Sequence, residues 1–558
     1  MLHCIRNDAT NKKQKHIDTT PMKMKIIVLV SLSYLCLTTS SAQTARNPIM
    51  WADVPDVSTI RVGDTYYMSS TTMHMSPGLP IMKSKDLVNW EIASYAYNRL
   101  VENDKMNLDN GQEAYGKGSW ASSLRYHEGV FYVSTFSATS GKTHVYKTKD
   151  VDNGPWEAFT FEPVLHDNSL FFDDDGRVYM LYGGGEIKLI ELLPDASGIK
   201  PNGIEKVIVK NVNAVFGEDE VGGLPGEGSQ LFKVNGTYYL FNIASPKSRW
   251  SRTVIIHKAD AITGPYEGRV ALEYKDVAQG GLIDTPNGDW YAMLFGDRGS
   301  VGRIPYLVPV KWTDGWPVLG VNAKVPEILE LPNNSNSVFG IVASDEFDRK
   351  QTDPKLPLVW QWNHNPDNNN WDILQNPGRL RITTGRVDAN VLTAKNTLTQ
   401  RTMGPKCSAS TALRVTDMKN GDFAGLIALQ NKYGYVGVKK ENGKKYVVMV
   451  RSQSKADDTE GKQGIMMMND MITTSTEIEQ VPLNQEKVYF RIDCDFETDK
   501  AYFFYSLDGE KWEAIGNSLQ MVYTLPQQFM GYRFGLFNYA TKEKGGYVDF
   551  DYYRIDKK

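Results

Sequence analysis

The chain has 558 residues, too many for one ordinary hydrophobic core, so two domains are expected. Hydrophobic residues make up 41%, which excludes a disordered chain, and the 12 Trp and 29 Tyr suit both β-structure and sugar binding. The net charge is -4, from 62 basic and 66 acidic residues without a Lys/Arg cluster; this excludes a nucleic-acid footprint and favours a neutral, hydroxyl-rich partner.

Residues 1–42 have the pattern of an N-terminal extension followed by a signal peptide. Two lysines precede an apolar run over residues 26–37, and three small residues end at Ala42. This pattern predicts cleavage near Ala42 and export to the periplasm or the extracellular space. The run is too short for a membrane span. A lipid anchor at Cys36 is disfavoured, because the bulky Leu35 stands where a lipoprotein signal prefers a small residue.

Residues 43–331 repeat one hairpin pattern five times. Each copy has a turn containing Gly, then an aromatic residue or Val, then Tyr, then a hydrophobic run. The tyrosines of the five copies are Tyr67, Tyr132, Tyr179, Tyr239 and Tyr291. Their spacing is close to the length of a four-stranded blade, so the repeat predicts a five-bladed β-propeller. A plain β-sandwich with unrelated hairpins is the alternative.

A polar stretch without periodicity, Pro332–Ser337, separates this region from residues 342–558. The second region contains many short strand patterns joined by polar turns, which predict a β-sandwich. The predicted fold class is therefore all-β, a five-bladed propeller followed by a sandwich. After signal cleavage only Cys407 and Cys494 remain, and they form either one disulfide or two buried thiols.

Propeller symmetry places equivalent positions of the five blades around one axis, because the first strand of each blade lines the central channel. Twelve residues before four of the repeat tyrosines lie Trp120, Asp167, Glu227 and Gln279; in the first blade the nearest acid, Asp56, lies eleven before. We therefore expect three carboxylates, one Trp and one Gln around a single pocket. Crowded carboxylates raise at least one pKa, so that an acid and a base coexist, and glycoside hydrolysis requires that pair.

Several segments resemble glycoside hydrolase family 43. They are 51–58 (WADVPDVS), 166–176 (HDNSLFFDDDG), 226–232 (GEGSQLF), 279–286 (QGGLIDTP), 297–306 (DRGSVGRIPY) and 312–317 (WTDGWP). From Ser344 onward the chain is similar to the concanavalin-like sandwich that follows the propeller in many β-xylosidases and α-L-arabinofuranosidases of that family.

The resemblance implies roles for the residues that match the family's motifs. Asp56 would be the general base that activates water, and Glu227 the general acid. Asp167 would orient Glu227 and tune its pKa. Arg303 matches an arginine in the pocket for the terminal sugar, and Trp120 would form a wall of that pocket.

Gln279 departs from the family pattern, in which many members have a His near a cation at the base of the channel. Glutamine is a weaker metal ligand, although it hydrogen-bonds water readily. We therefore predict that no cofactor is required, and a structural calcium ion is disfavoured.

The functional hypothesis is an inverting exo-glycosidase acting on plant hemicellulose or its oligosaccharides. It would release terminal α-L-arabinofuranose or β-D-xylose, and the family resemblance favours arabinofuranose. An endo-arabinanase and a non-catalytic carbohydrate-binding propeller are the alternatives. The sandwich either closes one side of the pocket or serves mainly stability.

Overall fold

The structure is a computed structural model that describes residues 44–333, 339–354, 356–453, 465–466, 474–524 and 528–558. The predicted N-terminal extension, the signal peptide with its cleavage near Ala42, and Cys36 lie outside the described residues, as does most of the predicted linker. Export therefore stays a prediction. Among the described residues, none of the helices has the length and apolar character needed to cross a membrane.

Five four-stranded antiparallel sheets follow one another along the chain, and each is built from contiguous residues. The strands of blade 1 are Ser58–Val62, Thr65–Ser69, Gly78–Ser84 and Glu91–Tyr97; of blade 2, Ser122–His127, Val130–Ser137, Lys142–Thr148 and Glu157–Phe161; of blade 3, Ser169–Phe172, Val178–Tyr182, Ile187–Leu192 and Glu205–Val209; of blade 4, Glu227–Val234, Thr237–Ala244, Thr253–Ala259 and Glu267–Glu273; of blade 5, Val277–Asp284, Trp290–Asp297, Arg303–Thr313 and Trp316–Leu319. The first strands of the five blades contact one another in a closed ring. The predicted five-bladed propeller is confirmed.

The repeated hairpin joins the first two strands of every blade. Its glycines are Gly63, Gly129, Gly176, Gly236 and Gly288, with φ of 63°, 82°, 80°, 83° and 87°. Because a side chain strains this left-handed conformation, glycine is the natural residue for the turn. The hairpin pattern therefore recurs because every blade needs the same backbone conformation at this turn. For this reason the number of copies equals the number of blades.

Short elements complete the propeller. An α-helix spans Asp104–Asn107, and 3-10 turns span Val212–Phe216, Glu218–Glu220 and Gly299–Val301. Ala45–Arg46 pairs with Ile328–Leu329, so the two ends of the propeller segment meet.

The C-terminal region is a sandwich of two large sheets. In order across the first sheet, the strands are Thr474–Leu483, Lys444–Gln453, Gly434–Glu441, Asp422–Leu429, Arg533–Ala540, Leu398–Arg401, Gln361–Asn363 and Met75–Ser76. The second sheet has Trp371–Asp372, Leu380–Thr383, Tyr547–Lys557, Lys406–Arg414, Lys487–Asp495, Lys500–Ser506 and Glu513–Ala514, with Leu519–Gln520 beside Lys500–Ser506. A short parallel pair, Ile465–Met466 and Tyr523–Thr524, lies apart.

One strand of the first sandwich sheet comes from the propeller. Met75–Ser76 belongs to the loop between the second and third strands of blade 1, and it pairs with Gln361–Asn363. The described residues from 44 onward accordingly form one compact unit. The sandwich is thereby attached to the propeller face on which the first strands begin.

Cys407 and Cys494 face each other on neighbouring strands of the second sandwich sheet. Both are free, buried thiols, so the structure selects the second of the two alternatives left open by the sequence. Burial raises the pKa of Cys407 to about 12, which keeps this thiol protonated and unreactive at neutral pH.

Candidate active site

Asp56 and Asp167 lie at the entry to the first strands of blades 1 and 3, each two residues before its strand. Both have left-handed backbone conformations, with φ of 54° and 47°. Gln279 in the first strand of blade 5 shares this conformation, with φ of 56°. Such conformations are uncommon for residues with a side chain and concentrate at functional sites. One backbone feature thus recurs at the same rim in three blades.

Glu227 opens the first strand of blade 4, but the left-handed residue there is Gly228, with φ of 66°. The strand pairing is irregular between Glu227 and Gln230. In backbone conformation, Gly228 is thus the residue equivalent to Asp56, Asp167 and Gln279, and Glu227 lies one residue before it. Counting residues from the repeat tyrosines does not show this offset. A Cβ atom on Gly228 would lie 2.7 Å from Cγ of Gln279, so close packing also requires glycine.

The structure brings the three predicted acids together at one rim of the propeller. The backbone N–H of Gly228 donates to Oδ2 of Asp167 at 2.8 Å, which ties Asp167 to the segment carrying Glu227. Oxygen atoms of Asp167 and Glu227 and a ring nitrogen of His166 all lie within 4.8 Å of one another. Burial is the main cause that raises the pKa of Asp167, and the negative charges of the nearby Glu227 and Asp56 raise it further.

Burial shifts the pKa values of Asp167 and His166 in opposite directions. Asp167 is only 8% exposed, and burial is the main cause that raises its pKa to about 7. Burial alone would lower the pKa of His166. Its Nε2 donates to Oε2 of Glu227 at 3.2 Å, however, and this bond and the neighbouring carboxylates raise the pKa of His166 to about 9. A cationic imidazole therefore lies against the candidate acid at neutral pH.

Asp167→Asn tests this account of burial through the pH dependence of stability. The folded-state pKa of Asp167 is raised from 3.8 to about 7, so its contribution to stability is present below pH 3.8 and is lost as the pH rises through about 7. Asparagine does not titrate and still accepts the bond from Gly228. We expect the free energy of unfolding of the variant, relative to that of the wild type, to rise by about 2–4 kcal/mol between pH 4 and pH 8. Urea unfolding at both pH values measures it, and an equal difference at both would contradict a buried, titrating Asp167.

Asp56 is held by a buried network of charges. Nη1 of Arg303 donates to Oδ1 of Asp56 at 2.8 Å. Nε of Arg303 lies 3.3 Å from Asp297, which also accepts a bond from Arg252 at 2.6 Å. Burial raises the pKa of Asp56, and the positive charges of Arg303 and Arg252 oppose that rise. Asp56 thus has a fixed orientation and an ionic partner that stabilises its charged form.

The sandwich contributes a wall of the pocket through Phe529. The Arg303 guanidinium lies 5.0 Å from the ring centre of Phe529 and 4.9 Å from that of Phe295. The indole of Trp120 lies edge-on to the ring of Phe529, with ring centres 6.3 Å apart. The two predicted substrate-binding residues Trp120 and Arg303 are therefore bridged by an aromatic ring of the second domain. These contacts are the ones that the first of the two roles expected for the sandwich requires.

Arg125 places a guanidinium on the propeller axis below the carboxylates. It donates to Oγ of Ser169 at 3.0 Å, to Oε1 of Gln230 at 3.4 Å and to the Leu231 carbonyl at 3.3 Å. Burial lowers the pKa of Arg125 to about 10, so it remains a cation at neutral pH. Gln279 lies at the rim and is buried. Calcium requires several oxygen ligands, usually with carboxylates among them, and a fixed guanidinium surrounded by neutral acceptors does not fit that ion.

Among the described residues, His166, Asp167 and Glu227 are the group of His and acidic side chains close enough to share a metal ion. His166 Nε2 is engaged with Glu227 as a proton donor, so this arrangement fits proton transfer better than metal binding. His166, Phe529 and Arg125 were not predicted as site residues. For His166 a signal existed, since it directly precedes Asp167.

Comparisons with known proteins agree with this geometry. Residues 45–317 match the sequence profile described as Glycosyl hydrolases family 43. Residues 344–556 match the profile described as Beta xylosidase C-terminal Concanavalin A-like domain.

Three individual proteins show the range of similarity. A β-xylosidase of Formosa agariphila is 29% identical, over 92% of this chain and 90% of its own length. A non-reducing end α-L-arabinofuranosidase of Bacteroides ovatus is 27% identical, over 78% of this chain and 84% of its own. The solved structure of a bifunctional GH43-CE protein of Bacteroides eggerthii is 58% identical with a TM-score of 0.87 and covers 93% of this chain. The present chain spans only 64% of that larger protein.

Proposed function

Because this chain belongs to glycoside hydrolase family 43 and is a glycoside hydrolase, we propose that it is an inverting exo-enzyme that releases a terminal pentose from plant polysaccharide or its oligosaccharides. The pentose is β-D-xylose or α-L-arabinofuranose. The named relatives include a β-xylosidase and an α-L-arabinofuranosidase, and both support a pentose pocket.

The observation that carries the proposal is that the two carboxylates have chemically different partners. Asp56 is bonded to the Arg303 guanidinium, whereas Glu227 accepts a hydrogen bond from His166 and lies beside Asp167. A carboxylate held by a guanidinium is suited to act as a base, and a carboxyl group clustered with an imidazole and a second acid has neighbours from which it can take up a proton. In this mechanism Asp56 takes a proton from the attacking water, and Glu227 donates one to the leaving glycosidic oxygen.

Exo-action is supported by the walls of the site. Trp120, Phe529 and His166 surround the rim near the acids, and Phe529 comes from a different domain. A ring enclosed on one side by the sandwich favours binding of a chain end, whereas an endo-enzyme needs a groove open at both ends. Three clustered carboxylates also argue against a carbohydrate-binding propeller without activity, since a neutral sugar gives no reason to gather them.

Product analysis tests this proposal. The wild type is incubated with xylo-oligosaccharides, arabinoxylan and arabinan, and the earliest products are separated by anion-exchange chromatography. We expect free xylose or arabinose as the only early product, and the same pentose from its aryl glycoside. Early release of oligosaccharides would replace the proposal with endo-action, and tight binding without any product would replace it with a binding function.

A further inference from the structure

Trp250 is an unusually exposed aromatic residue. Its relative exposure is 64%, the highest among the large hydrophobic side chains of the described residues. It lies in the loop of residues 245–252, between the second and third strands of blade 4. An exposed indole forgoes the favourable free energy that burial of its apolar surface would give. Its position in the fold therefore bears on whether a ligand covers it.

The loop that carries Trp250 is anchored on both sides of the indole. Arg249 pairs with Glu273 at 2.8 Å, and the hydroxyl of Ser251 donates to the same carboxylate at 2.8 Å. The backbone N–H of Ser251 also donates to Oγ of Ser245 at 2.9 Å, which closes the loop on itself. A ring held on an ordered loop loses little further conformational entropy when a ligand binds.

The loop begins and ends beside the candidate catalytic groups. Glu227 is the strand partner of Ile243, and the loop starts two residues after Ile243. At its far end, Arg252 pairs with Asp297, which contacts the Arg303 that holds Asp56. Trp250 therefore projects at the mouth of the pocket, from the blade that provides Glu227.

We propose that Trp250 is a stacking platform for the sugar on the leaving-group side of the cleaved bond. The proposal rests on the proposed function, in which Glu227 protonates the glycosidic oxygen. The leaving sugar must then extend from that oxygen past Glu227 and over the same blade. A neutral pyranose presents an apolar face of C–H groups, and a flat, rigid indole suits it. The occupant is therefore a neutral pyranose unit of the polysaccharide.

Two substrates that differ only in the leaving group separate this role from the chemistry. One is the disaccharide in which the released pentose is linked to xylose; the other is the matching pentosyl fluoride, whose leaving group has no ring. We measure kcat/KM for both with the full-length wild type, Trp250→Ala and Trp250→Phe. The ratio of disaccharide to fluoride should fall about three- to tenfold in Trp250→Ala, mainly through KM, and less in Trp250→Phe.

Tyr126→Ala provides the matched control, because Tyr126 is 43% exposed and lies towards the opposite end of a first strand. Its ratio should equal that of the wild type. An unchanged ratio in Trp250→Ala would overturn the platform and leave the pentosidase intact. Equal losses on both substrates would also overturn it, since they would indicate a role inside the pocket. If the wild type cleaves neither compound, the proposed function fails and the platform fails with it.

Discussion

Glu227→Gln should lower kcat on the disaccharide by about 10²–10⁴ while affecting the pentosyl fluoride far less. Xylose leaves as an alcohol, and its oxygen needs a proton in the transition state, which glutamine does not supply. Fluoride leaves without that proton. The difference between the two substrates therefore isolates general acid catalysis from binding and from folding.

The control for Glu227→Gln is Glu218→Gln, a matched change at an exposed acid in the 3-10 turn just before blade 4. We expect wild-type kinetics from it. Equal losses on both substrates in Glu227→Gln would show that Glu227 does not act as the acid, and undiminished turnover of the disaccharide would reject its participation altogether.

Asp56→Asn should lower kcat on both substrates, the fluoride included, by about 10²–10⁴. Attack by water is common to both reactions, so a good leaving group does not relieve the loss of the base. Asparagine preserves the size of the side chain and can still accept a bond from Arg303, which limits the cost of leaving a buried guanidinium without its partner.

Thermal unfolding of Asp56→Asn should confirm that the fold persists, and Asp64→Asn serves as a control at an exposed acid of the same blade. Fluoride hydrolysis at the wild-type rate in Asp56→Asn would contradict the assignment of the base. Together, the two variants distinguish acid from base, because the loss depends on the leaving group in Glu227→Gln and not in Asp56→Asn.

The number of blades could be predicted from the sequence because the hairpin turn of each blade requires glycine. The five glycines from Gly63 to Gly288 share one left-handed conformation, so a local backbone requirement is repeated at the period of the fold. The same period leads to Asp56, Asp167 and Glu227, since symmetry converts equal positions along the chain into nearness in space. The count also finds Glu227, but the strand pairing there is irregular and the left-handed conformation falls on Gly228, one residue later.

The repeat pattern could not predict site residues that lie outside it. Phe529 reaches the pocket from a second domain, and no periodicity connects it with Trp120 or Arg303. Arg125 lies on the axis because its long side chain extends inward from a first strand, and an alternating strand pattern does not reveal that. Contacts between domains and the direction of long side chains depend on tertiary packing, which a local pattern does not encode.

The anomeric configuration of the first product is the most direct test of the central claim, that Asp56 and Glu227 act as base and acid on opposite sides of one pentose ring. Proton NMR of the wild-type reaction, recorded before mutarotation, resolves it. The account predicts inversion: α-D-xylose from a β-D-xyloside, or β-L-arabinofuranose from an α-L-arabinofuranoside. A first product that retains the configuration of the substrate would contradict it, because retention requires a carboxylate that attacks the sugar rather than one that activates water.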